Sequence, residues 1–216
     1  MKTPERRGNE PSTSDQTLAV WAATLLHNRG LMRASELRAE GVTPATLSRL
    51  VAAGEVVRLG RGLYQLADVA VDSQHDLAQA AKRVPKGVIC LASALAFHGL
   101  TDQLPRRVWM AIGLKDWRPT ADRPPLRIVR LSRNLLEQDV EHHVIDGVDV
   151  KVFGAARSVI DAFRQERTAG RNLAIEALRE ILRQRKASPA ALADLAQRLG
   201  AWAKVRPYLE AFTADA

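Results

Sequence analysis

The 216-residue chain has one cysteine, Cys90. No intramolecular disulfide can form, and a metal site built on several cysteines has no material. The Val-Ile-Cys-Leu setting predicts a buried thiol in a reducing compartment. Long apolar runs are also missing. The longest, Val88 to Phe97, is interrupted by Ser93 and stops before His98 and Gly99, whereas a membrane span needs about 20 residues. Met1 to Gln16 is polar and lacks the apolar core of a secretion signal. These absences predict a cytoplasmic protein with no membrane partner. There is no Gly-x-Ser-x-Gly, no phosphate-cradling glycine loop and no Cys/His metal spacing. The expectation is a protein that is not an enzyme, with no catalytic residue, metal or cofactor.

Apolar residues make up 46% of the chain, which excludes wholesale disorder. The length allows one large domain or two small ones. Net charge is +8, which suits a polyanionic partner without proving one. The charge is uneven: residues 1–70 carry +2, 103–135 carry +6, 136–150 carry −5 and 151–206 carry +7. Most of the basic character therefore lies in the second half.

Residues 1–16 read as a flexible tail, with Pro4, Gly8 and Pro11. Leu18, Trp21, Ala22 and Leu25 then form one helical stripe, ended by Gly30. A short helix over about 34–40 turns at Gly41-Val42 into a third, with Thr43 as N-cap and Pro44 in the first helical position. That helix is expected to bury Leu47, Leu50 and Val51. Strands over 55–59 and 63–66 follow, joined by Gly60-Arg61-Gly62. This order predicts a winged helix-turn-helix over residues 17–70. Ala45, Thr46, Ser48, Arg49 and Ala52 are expected to face outward. Small and hydroxyl side chains let such a helix enter the major groove, where arginine reads guanine. The Thr43-capped N-terminus offers backbone N–H groups to a phosphate. Arg58 and Arg61 place cations on the wing. The predicted DNA-binding set is Thr43, Ala45, Thr46, Ser48, Arg49, Arg58 and Arg61.

Residues 71–216 mix helices with strands over 107–112 and 126–131. A hairpin over 140–152 turns at Asp146-Gly147, a preferred type I′ pair. Helices fill the remainder, including one capped by Ser188-Pro189. The predicted fold class is α+β: the winged helix, then a mixed α/β domain with a small sheet and a helical C-terminus. Parity in the hairpin puts His142, Val144, Asp149 and Lys151 on one face and Ile145, Val148, Val150 and Val152 on the other. Asp139 then points away from Asp149, which argues against an acid-x-Lys nuclease or a metal site there. Arg157 and Asp161, four apart on a helix, read as a structural ion pair. His98 reads as a helix-terminal residue. Trp117, flanked by Lys115 and Arg118 in a proline-containing loop, serves equally as a partner anchor or as cover for the core edge.

Several stretches resemble the AbiE-type (AbiEi-like) antitoxins of type IV toxin–antitoxin systems. They are Thr43-Pro-Ala-Thr-Leu-Ser-Arg-Leu-Val-Ala-Ala-Gly-Glu, Arg61-Gly-Leu-Tyr64, Leu91-Ala-Ser-Ala-Leu-Ala-Phe-His-Gly-Leu-Thr101, Val108-Trp-Met-Ala-Ile112, Asp146-Gly-Val-Asp-Val150 and Ala156-Arg-Ser-Val-Ile-Asp161. The ordered set spans most of residues 17–165. The resemblance implies a winged helix that binds repeats in its own promoter and represses it. It also implies a second domain that counters a nucleotidyltransferase-type toxin. The basic and aromatic residues Arg106, Arg107, Lys115, Trp117 and Arg118 are the candidate partner contacts. The alternatives are a plain winged-helix regulator and a winged-helix nuclease.

Overall fold

The computed structural model describes residues 13–60, 62–68, 74–119 and 124–214. Two compact units result, one ending at residue 70 and one starting at residue 71. The molecule is α+β.

In the first unit α1 (Thr13–Arg29) leads into β1 (Met32–Arg33), α2 (Ala34–Ala39), α3 (Pro44–Ala52), β2 (Val56–Gly60) and β3 (Leu63–Leu66). Most of the tail expected over 1–16 lies outside the described residues, and its last part from Thr13 already belongs to α1. The three strands form an antiparallel sheet in the order β1-β3-β2. Two helices about a tight turn, closed by this sheet, follow the element order of a winged helix-turn-helix. Gly41 makes the turn at φ 86, a conformation that suits glycine. Ala22, Leu25 and Leu26 of α1 pack with Leu37, Val42, Leu47, Leu50 and Val56. Two expected core residues lie elsewhere. Val51 is 37% exposed and Trp21 43%. Trp21 instead donates its indole N–H to the Glu40 carbonyl at 3.0 Å, because a large ring with a polar edge stays at a wet boundary.

The second unit contains α4 (His75–Arg83), β4 (Val88–Ile89), α5 (Leu91–Phe97), β5 (Val108–Gly113), β6 (Leu126–Leu131), α6 (Arg133–Glu137), β7 (Val140–Ile145) and β8 (Val148–Phe153). Five helices complete it: α7 (Ala155–Arg164), α8 (Glu166–Ala169), α9 (Arg171–Arg183), α10 (Pro189–Arg198) and α11 (Trp202–Thr213). The sheet order is β6-β5-β4-β8-β7. The β5–β6 and β4–β8 pairs are parallel, and β4–β5 and β7–β8 are antiparallel.

Helix α4 packs against β8, β4 and β5, while α5 packs against β5 and against α7. Trp109, Ala111 and Phe153 join the core beneath α5, α7, α9, α10 and α11. The alternate residues Met110, Ile112, Val150 and Val152 are equally buried, as the two-residue pleat requires of a sheet covered on both faces. Trp109 faces away from Val108 and Met110 and into core, with the Arg127 guanidinium 4.1 Å over its ring. Gly87, entering β4, has no room for a Cβ, which would strike the Met110 side chain. The hairpin keeps the expected register, with Ile145 opposite Val148 and His142 opposite Lys151. Asp146 and Gly147 both have positive φ, 49 and 70, as a type I′ turn demands.

Candidate nucleic-acid interface and partner-facing loop

Helix α3 starts where the sequence places it. The Thr43 hydroxyl accepts the Thr46 N–H at 3.1 Å, a cap worth about 1 kcal/mol. The Leu47 N–H bonds the Thr43 carbonyl, and Pro44 has no N–H. Within the first turn only the Ala45 amide is left for an outside acceptor, fewer than the cap motif suggests. Thr46 must be corrected. It is fully buried and its hydroxyl bonds that of Thr43 at 2.9 Å, so it supports the cap and cannot read a base. Ala45, Ser48 and Ala52 are exposed and lie at i, i+3 and i+7, one outward stripe. Arg49 is half-buried beside it.

On the wing, Arg58 is exposed and its Nε donates back to the Gly60 carbonyl at 3.3 Å. The strand register shifts between Arg58 and Gly60, a bulge that bends the ribbon locally. Arg61 lies outside the described residues.

The candidate partner residues of the second unit do not form one patch. Arg106 and Arg107 precede β5, whereas Lys115, Trp117 and Arg118 follow it. Six strand residues separate the groups by about 20 Å. The second group is built firmly. Arg130 donates from one guanidinium nitrogen to the carbonyls of Gly113, Leu114 and Asp116 at 3.1, 2.7 and 3.0 Å. Asp116 accepts the Gly113 N–H at 2.8 Å. This tied turn holds Trp117 at 87% exposure and Leu114 at 61%, between Lys115 and Arg118. Trp117 therefore does not cover the core edge. Arg130 was absent from the sequence-based set, since only the fold shows a strand residue gathering a loop's carbonyls.

The polar residues of the second unit divide between structure and surface. Arg157 is 1% exposed. Its Nε bonds Asp161 at 2.7 Å, and its terminal nitrogens reach the carbonyls of Leu135 at 3.2 Å and Gln138 at 3.5 Å. The guanidinium also stacks on Phe153, 4.6 Å from the ring centre. The expected i, i+4 pair thus ties α7 to α6 and the chain entering β7. His98 Nε2 lies 2.8 Å from the Phe153 carbonyl, and burial lowers its pKa from 6.5. The neutral imidazole donates to the end of β8, rather than acting as a cation at the end of α5. Burial also pushes the Cys90 thiol well above its ordinary value, which fits the inert buried cysteine expected. His142 bonds Asp149 at 3.0 Å across the exposed hairpin face. No cluster of three potential metal ligands occurs among the described residues, and no described helix is long and apolar enough to cross a membrane.

The first unit has the element order of a helix-turn-helix domain. Residues 23–67 match the family described as "Transcriptional regulator, AbiEi antitoxin". The matched stretch runs from α1 through β3. Comparison with curated proteins gives no match. Among solved structures, the "Crystal structure of RV2827C protein from Mycobacterium tuberculosis" shares the fold. It has a TM-score of 0.65 and 15% identity over 91% of this chain and 78% of that one. At that identity the likeness is one of fold.

Proposed function

We propose that the chain is an autoregulating antitoxin of a type IV system, acting in the cytoplasm. In this reading the first unit binds repeats in its own promoter through α3 and represses it. The observation that carries the reading is the outward stripe of Ala45, Ser48 and Ala52 on a Thr43-capped helix, inside the stretch that matches a family of transcriptional regulators. Small side chains bring the helix axis close to the groove floor, and the half-buried Arg49 flanks the stripe. The second unit opposes a nucleotidyltransferase-type toxin without catalysis of its own. Support for that part is the sequence resemblance and the tied loop presenting Trp117 between cations.

The test is a gel-shift titration on the protein's own promoter. Ser48→Ala and Arg49→Ala are each expected to weaken specific binding by about 1–3 kcal/mol. Unchanged affinity in both variants removes α3 from the groove.

A further inference from the structure

A cleft of about 760 Å³ opens in the second unit at the carboxyl ends of β5 and β6. Neither a residue of α3 nor Trp117 lines it. The connection leaving β5 runs to β6 at one edge of the sheet, and the connection leaving β6 runs through α6 to β7 at the opposite edge. Open sheets with parallel pairs form ligand crevices where such connections diverge beyond the strand ends. The volume falls within the range of small-molecule sites and far exceeds what a bare inorganic anion fills.

Four cations line it: Lys86, Lys115, Arg133 and Lys151. The two acids on the wall are already engaged. Glu137 pairs with Arg133 at 2.8 Å, and Asp116 accepts the Gly113 N–H. Lys151 Nζ donates to the Pro85 carbonyl at 3.4 Å, which brings its ammonium to the segment carrying Lys86. Lys86 and Lys115 have no carboxylate partner among the described residues. Four cations against two carboxylates leave the wall with a net positive charge, carried by the three lysines. Leu114 and Leu136 supply an apolar wall, and His142 stands at the same cleft, bonded to Asp149. Concentrated positive charge beside an apolar surface suits a ligand that joins phosphate to a flat ring.

We propose that this cleft binds a free nucleotide, its phosphates held by Lys86, Lys115 and Lys151 and its base against Leu114 and Leu136. Such a site exists whether or not a toxin partner does, and it involves neither α3 nor Trp117.

The experiment is isothermal titration of the full-length protein with ATP, AMP, adenosine, inorganic phosphate and a short single-stranded oligonucleotide. One ATP is expected to bind per chain, with affinity falling as salt rises. Adenosine and phosphate alone are each expected to bind at least tenfold more weakly. Lys86→Ala with Lys151→Met is expected to weaken ATP at least tenfold while the melting temperature holds. Lys86→Glu, at an exposed position, gives the same reading should the double variant unfold. No ATP binding, ATP binding unchanged in K86E, or phosphate binding as tightly as ATP overturns the proposal. An oligonucleotide that displaces ATP from the Lys86 site and binds it more tightly also overturns it, since the ligand would then be a strand rather than a free nucleotide. Loss of promoter binding in the Ser48 and Arg49 variants with ATP binding retained keeps the two sites separate.

Discussion

Arg157 illustrates how a single side chain decides whether a unit holds. Its charge is buried, and removing the arginine strands Asp161 and two backbone carbonyls. Breaking a buried pair costs about 3–5 kcal/mol. Here Asp161 keeps a second partner, Arg164, at 2.8 Å, so the low end applies. Arg157→Ala is expected to destabilise the second unit by about 3 kcal/mol in urea unfolding, and Arg157→Met by less, because it retains the packing on Phe153. His98 sets a pH dependence. Burial holds it neutral in the fold, while the unfolded chain protonates near its ordinary 6.5. The unfolded state thus binds the extra proton, and stability is complete above about pH 6.5 and declines as pH falls toward the lowered folded pKa. Melting temperatures measured between about pH 7 and pH 5.5 should fall less steeply in His98→Gln, whose amide still donates to Phe153.

At the level of elements, the wing and the Leu114–Arg118 turn carry distinct expectations. Arg58 is exposed on the β2–β3 ribbon, and under the proposed function its contact is to the DNA backbone rather than to a base. Arg58→Ala is expected to lower affinity alike on specific and unrelated sequences and to reduce the salt slope by about one unit. A lost sequence preference with an unchanged slope would make it a base reader instead. The turn after β5 is held by Arg130, so its exposed tryptophan costs little entropy to dock. Trp117→Ala is expected to impair protection against a cognate toxin by at least tenfold in surviving cells while leaving the melting temperature within about 2 °C. Protection equal to wild type would remove the turn from the partner surface.

Across the whole molecule, each unit has its own hydrophobic cluster, and the charge is distributed unequally, with only +2 in residues 1–70. The basic excess that follows lies in the second unit, where the proposed function places the toxin-opposing activity. Residues 71–216 alone are expected to protect cells from the cognate toxin and to fail at promoter repression. Growth under toxin co-expression and a promoter–reporter assay measure the two separately. A folded, expressed fragment that gives no protection would show that the jobs are not divided this way.

The local code of the chain was sufficient for its punctuation and several of its surfaces. Thr43-Pro44, Ser188-Pro189 and Asp146-Gly147 act through one or two neighbouring backbone groups, so their caps and turn follow from the residues alone. The hairpin faces follow from strict alternation, and the Arg157–Asp161 pair from helical spacing. Packing decided the rest. Two-residue strands such as β1 and β4 have no periodicity to read, and exist because β3, β5 and β8 supply their hydrogen-bond partners. Thr46 turned inward because its hydroxyl completes the Thr43 cap, and Trp21 stayed at the surface because the Glu40 carbonyl lies within reach. The cleft beside Lys86, Lys115 and Lys151 was invisible in the sequence. Its residues lie up to 65 positions apart in the chain, and only the crossing of β5, β6 and β8 gathers their charges around one cavity.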